Sequence, residues 1–170
     1  MLEFKELEFY LKTFGRYFSA DEHCKDLAKR GETVKNSLHY LLMADHFLFQ
    51  KMLFSGIKDT DLSLGQPKIL DYLKDHNGTV QKEIAAVCHI EQASLTSVLN
   101  GMEKKGLITR EMRDGNRRSL YVFLTDKGRE LAERIDTEFE KIENDALKGF
   151  SEDEKELLNE FLSRIHENVN

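Results

Sequence analysis

The sequence predicts a mainly α-helical fold that carries one small antiparallel β-wing, and three observations predict it. First, the chain of 170 residues holds one proline and no tryptophan, and its Leu, Glu and Lys recur at helical spacing. Second, two short helical patterns separated by a tight turn run from Thr79 to Lys105. Third, two β-prone runs, Leu107–Met112 and Ser119–Leu124, flank an Asp114-Gly115 step, a strong hairpin signal. A hydrophobic content of 40% suffices for one or two small cores, and 33% charged residues suits a soluble chain.

Taken in order, Leu2, Phe4, Leu7, Tyr10, Leu11, Phe14 and Phe18 form an aromatic-rich helical stripe, which reads as core or subunit interface. Ser19 with Glu22 has the spacing of a capping box and opens a second helix that ends near Gly31. A long helix over Val34–Ser55 bears Leu38, Leu41, Leu42, Phe47, Leu48, Met52 and Leu53, apolar on more than one side. Ser63, with Gln66 three residues on and Pro67 in the first turn, is expected to cap the next helix. Ile69, Leu70 and Leu73 should face inward there, and Asn77-Gly78 should end it. Thr79-Val80 can then add a short strand to the hairpin.

The helix that follows is expected to bury Ile84, Ala85 and Val87, with a turn at Cys88-His89-Ile90. The next helix, from about Gln92 to Lys105, has Leu95, Val98, Leu99 and Met102 on one stripe. Its other face carries Gln92, Thr96, Ser97 and Asn100, with Ser94 nearby, all short, polar and uncharged. Gly101 inside it should cost about 1 kcal/mol against alanine. Gly106 ends it as a left-handed cap. Beyond the wing, Thr125 caps a helix through Leu131, Ile135, Phe139, Ile142 and Leu147. A Ser151/Glu154 capping box opens a last helix with Leu157, Leu158, Phe161, Leu162 and Ile165. Apolar stripes with little of their own domain to pack on imply a partner, and a homodimer supplies one.

A formal net charge of −6 excludes a globally basic nucleic-acid binder. Between Gln92 and Arg129, however, eight Lys and Arg face four Asp and Glu, a local excess of four positive charges. A lightly charged helix can enter a major groove and offer hydrogen bonds to base edges. The loop beside it, Arg113–Arg118, carries Arg113, Arg117 and Arg118, suited to phosphates or a minor groove.

Catalytic signatures are missing: there is no GxSxG, P-loop, HExxH or GxGxxG, so no enzyme and no cofactor is expected. His39 and His46 lie two helical turns apart, too far to share an ion, and no CxxC or HxxxH supports a metal site. Cys24 has Asp21 and Glu22 beside it, and Cys88 sits in an apolar turn, so neither reads as a redox switch. With no leader and no apolar run near 18 residues, the expectation is a cytoplasmic protein with reduced thiols and no membrane contact.

Four stretches carry a resemblance: Leu62–Leu70 (LSLGQPKIL), Glu103–Arg110 (EKKGLITR), the arginine-tipped turn, and Leu124–Leu131 (LTDKGREL). Together they resemble the MarR family of winged helix-turn-helix transcription regulators, densely from Leu62 to Leu131 and more loosely onward. The resemblance implies N- and C-terminal dimerisation helices around the winged helix-turn-helix. Residues 1–61 would hold N-terminal helices including a dimerisation and cleft helix, 62–128 the DNA-binding domain and 129–170 the C-terminal dimerisation helices. The first 33 or so residues depart from it, because the family usually begins with one helix here. It further implies a repressor that occupies a pseudo-palindromic promoter site as a homodimer and answers a small-molecule effector.

On this reading Gln92, Ser94, Thr96, Ser97, Asn100, Arg113, Arg117 and Arg118 contact double-stranded DNA. Ser97 stands where many members carry a basic residue, and Asn116 replaces the acid of the family's Asp-x-Arg wing motif. Arg118 matches the arginine that enters the groove, which leaves Arg113 and Arg117 for phosphates. His46, Phe47 and Phe49 on one side and Tyr72 on the other would line the effector cleft, or belong to the core. The competing reading is a helical protein-interaction module or anti-regulator that keeps the wing fold without binding DNA.

Overall fold

The computed structural model describes residues 37–113 and 116–170, with the side chains of residues 113–118 outside that description. The helices expected over Leu2–Gly31 therefore lie outside the described residues, as do Cys24 and the Asp114-Gly115 step. In chain order come α1 (Leu38–Gly56), α2 (Gln66–Asp75), β1 (Thr79–Val80), α3 (Gln81–Val87), α4 (Gln92–Lys104), β2 (Ile108–Arg113), β3 (Asn116–Leu124), α5 (Asp126–Ala146) and α6 (Glu152–Val169). The three strands form one antiparallel sheet in the order β1-β3-β2. The chain is mainly helical with a small antiparallel wing.

One principal core holds the middle of the chain together. Ile69, Leu70 and Leu73 of α2 meet Ile84 of α3, Leu95, Leu99 and Met102 of α4, Ile108 and Val122 of the sheet, and Ala132 and Ile135 of α5. Each fully buried Leu or Ile contributes about 1.5–3 kcal/mol by leaving water. A smaller cluster of Leu53, Ile57 and Ile142 ties the end of α1 to the middle of α5. Gln66, fully buried at the start of α2, accepts from the Ser63 amide at 3.1 Å and from Lys105 Nζ at 3.1 Å, so it pins α2 to the end of α4.

Three local expectations are corrected by the structure. α2 starts two residues later than a Ser63 cap implies: Gly65, left-handed at φ +83°, is its N-cap, while the Gln66 side chain reaches back to Ser63 as half a capping box. Val87 is exposed and Cys88 buried in its place, because the inward stripe of α3 runs Ile84, Ala85, Cys88. The strands of the hairpin extend further than the β-prone runs, so Arg113 and Asn116–Arg118 belong to strand ends, with Arg113 opposite Asn116. A register irregularity between Met112 and Arg113 accompanies that extension.

The junction between wing and α5 is tightly made. Thr125 donates its amide to the Leu107 carbonyl at 3.0 Å, its hydroxyl to the Gly106 carbonyl at 2.7 Å, and accepts from the Gly128 amide at 3.0 Å. It is the N-cap of α5, as its position before an acidic first turn suggests. Ser151 and Glu154 form both bonds of a capping box at the start of α6. No residue of α6 is buried, and Leu157, Phe161 and Leu162 are exposed, as are Leu38, Leu41, Leu48 and Met52 of α1.

Candidate nucleic-acid interface

α3, its turn and α4 are set by the core. Burial of Leu95, Leu99 and Met102 leaves Gln92, Ser94, Thr96, Ser97 and Asn100 all exposed on α4. The α3–α4 turn is closed by the Ile90 amide bonding the Ala85 carbonyl at 2.9 Å, with His89 left-handed at φ +48°. The first turn of α4 contains no acidic residue and its N-cap residue, Glu91, makes no side-chain capping bond. Its amides and positive dipole end are thus open to an anion such as a backbone phosphate.

Two side chains on this face are oriented from within. The Thr96 hydroxyl donates to the Gln92 carbonyl at 3.2 Å. From β2, Arg110 donates through Nη2 to Asn100 Oδ1 at 2.7 Å and to Glu103 Oε2 at 2.5 Å, and through Nε to the same carboxylate at 3.2 Å. The hydrogen bond from Arg110 holds the Glu103 carboxyl below its ordinary range. This brace joins recognition helix and wing. It runs from a strand to a helix, so the periodicity of neither element reveals it.

A shallow cleft of about 320 Å³ opens between the starts of α3 and α4 and strand β3, lined by Gln81, Lys82, Gln92, Thr96, Ser119 and Leu120 among others. Gln81 Nε2 is buried there without a hydrogen-bond partner, and Lys82 is exposed at its rim. Neither Gln81 nor Lys82 stands out in the sequence, because each is one polar residue at the start of a short helix. The wing residues Arg113, Arg117 and Arg118 sit at the far ends of β2 and β3, next to the turn, with their side chains outside the described residues.

The four residues suggested as cleft walls have separate surroundings. His46 bonds Gln50 along the exposed side of α1 at 3.0 Å, Phe49 is exposed, and Phe47 is half-buried. Tyr72 donates its hydroxyl to Glu83 of α3 at 3.1 Å and stacks on His76 with ring centroids 4.4 Å apart. A larger cleft, about 720 Å³, lies instead between the α1–α2 loop, the end of α4 and the start of α5, with Asp59, Asp61, Lys104, Lys105, Lys127 and Arg134 on its walls. Its charges are mostly matched: Arg134 donates to Asp59 at 2.8 Å and holds that carboxyl below its ordinary range, while Lys127 Nζ bonds the Lys105 carbonyl at 2.8 Å.

Cys88 is buried, which pushes its thiol up and away from reactivity. Among the described residues no group of three or more His, Cys, Asp or Glu side chains is placed to hold a metal ion. None of the described helices is long and apolar enough to cross a membrane.

Comparison with known proteins agrees with this architecture. The MarR family model matches residues 62–120. The HTH-type transcriptional regulator YdgJ of Bacillus subtilis, itself uncharacterized, is 30% identical over 111 residues, which span 65% of this chain and 68% of that protein. The HTH-type transcriptional regulator PecS of Dickeya dadantii is 36% identical over 87 residues, 51% of this chain and 52% of its own. Among solved structures, a MarR family transcriptional regulator from Listeria monocytogenes complexed with a 26mer DNA superposes with a TM-score of 0.73 at 26% identity, covering 80% of this chain and 90% of that one. The S. aureus MepR–DNA complex shares the fold at a TM-score of 0.72 and 24% identity, covering 80% of this chain and 100% of that one. With a helix-turn-helix, an arginine-bearing wing and a relative matched over more than two thirds of its length, the chain belongs to the MarR family of winged helix-turn-helix, DNA-binding transcription regulators, which are not enzymes.

Proposed function

We propose that this regulator is a homodimeric repressor that occupies a pseudo-palindromic promoter site and releases it on binding a small-molecule effector. The exposed polar face of α4 beside the wing carries the reading: Gln92, Ser94, Thr96, Ser97 and Asn100 meet base edges and phosphates in the major groove. Arg118 enters the adjoining minor groove, with Arg113 and Arg117 on phosphates. Residues 62–128 form the DNA-binding domain, flanked by the N-terminal helices of residues 1–61 and the dimerisation helices of residues 129–170. The exposed apolar residues of α1 and α6 support dimerisation, since a surface that apolar is costly in a monomer. A two-fold pair would set its recognition helices about 34–36 Å apart, one duplex turn. The effector would sit between the dimer helices and the DNA-binding lobe, with His46, Phe47, Phe49 and Tyr72 as candidate walls.

The test is binding of the full chain to the DNA upstream of its own gene, followed across a salt series. Affinity should fall linearly on a log–log plot, with a slope of about 0.9 per phosphate neutralised. A salt-independent interaction, or no shift of any duplex, would favour a protein-interaction module that keeps the fold.

A further inference from the structure

We propose that Asn100 reads its base as a hydrogen-bond donor only, through its amide nitrogen, and so rejects cytosine, because Arg110 occupies its carbonyl oxygen. The inference rests on α4 being the helix that meets base edges, and it adds the direction of one contact. An unrestrained asparagine can both give and accept, which is how it pairs bidentately with adenine. Here the choice is made inside the protein. Arg110 Nη2 donates to Asn100 Oδ1 at 2.7 Å, and the same guanidinium is held by Glu103 at 2.5 and 3.2 Å. The Arg110 side chain is only 15% exposed, so it is fixed by packing as well as by charge.

The amide is planar, with oxygen and nitrogen on opposite branches. Turning the oxygen toward β2 aims the NH₂ group the other way, and Asn100 is exposed at the surface. The second lone pair of Oδ1 lies beside a guanidinium cation, which makes it a poor acceptor for a base amino group. Two N–H donors remain. In the major groove the matching acceptors are O6 and N7 of guanine, O4 of thymine and N7 of adenine, whereas cytosine offers only its N4 amino donor, which would oppose the NH₂ group. Thr96, one turn earlier, has likewise spent its hydroxyl proton on the Gln92 carbonyl at 3.2 Å, which leaves its oxygen as an acceptor. The two neighbouring positions therefore offer opposite polarity, each set by a bond within the protein.

The experiment selects duplexes bound by the full chain from a randomised library and sequences them, for the wild type, Asn100→Asp and Arg110→Met. The wild type should show one position per half-site at which C is depleted by about tenfold against the other three bases. In Asn100→Asp, which is nearly isosteric, Arg110 takes one carboxylate oxygen and leaves the other as an acceptor, so preference at that position should turn to C, whose N4 amino group donates to it. In Arg110→Met the amide is freed to give and accept, and adenine, which it then pairs bidentately, should become the preferred base there while the rest of the motif stays. A wild-type motif with no cytosine-depleted position overturns the inference. So does an Asn100→Asp protein that melts like the wild type and selects an unchanged motif, or one whose motif blurs evenly at every position. Enrichment of no sequence by any of the three would overturn the DNA-binding reading, and this inference with it.

Discussion

Replacing Gly128 by alanine should destabilise the protein, although alanine is the better helix former. Gly128 lies in the first turn of α5 and is fully enclosed. A methyl there would overlap the carbonyl oxygen of Leu107, and would lie 3.0 Å from its carbonyl carbon and 3.3 Å from Leu124 Cδ2. The obstacle is backbone, so it cannot rotate aside. Either α5 lifts off β2 or the Thr125–Leu107 bond opens. Helix propensity favours alanine by up to about 1 kcal/mol. Against that stand overpacking of about 1–3 kcal/mol and roughly 1 kcal/mol for each backbone or capping bond lost, here the 3.0 Å bond from Thr125 to Leu107 and the 3.0 Å cap from Gly128 to Thr125. The steric cost wins, with a net loss of about 2 kcal/mol, which lowers Tm by roughly 4–8 °C in a chain of this size. Thermal melting followed by far-ultraviolet circular dichroism reads it directly. A Gly128→Ala protein that melts at or above the wild-type temperature would refute the described contact between α5 and Leu107.

The other expectations concern charge and assembly. Glu103 has a carboxyl held low by Arg110, so its contribution is full above the ordinary glutamate range and is lost as pH falls through the depressed value. Glu103→Gln should therefore cost about 0.5 kcal/mol at pH 7 and nothing near pH 2, measured as the difference in urea midpoints at the two values. An equal cost at both would assign the loss to packing. Arg118→Ala should weaken DNA binding while leaving the dimer intact, and unchanged affinity would remove Arg118 from the interface. Ending the chain after Phe150, which deletes α6, should give monomers by light scattering, and a persistent dimer would contradict a C-terminal interface.

Much of the fold was legible because its signals are local. Thr125 and Ser151 cap helices with the spacing that sequence alone requires, and α4 runs on the stripe set by Leu95, Leu99 and Met102. Gly106, at φ +69°, ends that helix in the left-handed conformation that its position implies. What stayed hidden depends on the neighbours a residue meets in three dimensions. Val87 looks like the next apolar position of α3, yet a helix of seven residues is too short for periodicity to separate Val87 from Cys88 as its last inward position. The hairpin is longer than its β-prone core because pairing with the partner strand, and not propensity, carries Arg113 and Asn116 into the sheet. The Arg110 brace and the enclosure of Gly128 needed β2 to be placed against α4 and α5 before either could be seen.

Helix α5 belongs to two cores at once. Ala132 and Ile135 sit in the cluster beneath the recognition helix, and Ile142 sits in the one with Leu53 and Ile57. Its 21 residues make a rod about 31 Å long, with neither proline nor an internal glycine beyond its first turn at which to bend. Tilting such a rod by about 5° carries one end roughly 3 Å sideways, close to the 3.4 Å step between stacked bases. A pivot of a few degrees at one end of the rod would thus be enough to shift the two readers of the proposed dimer out of phase with the duplex by about one rung.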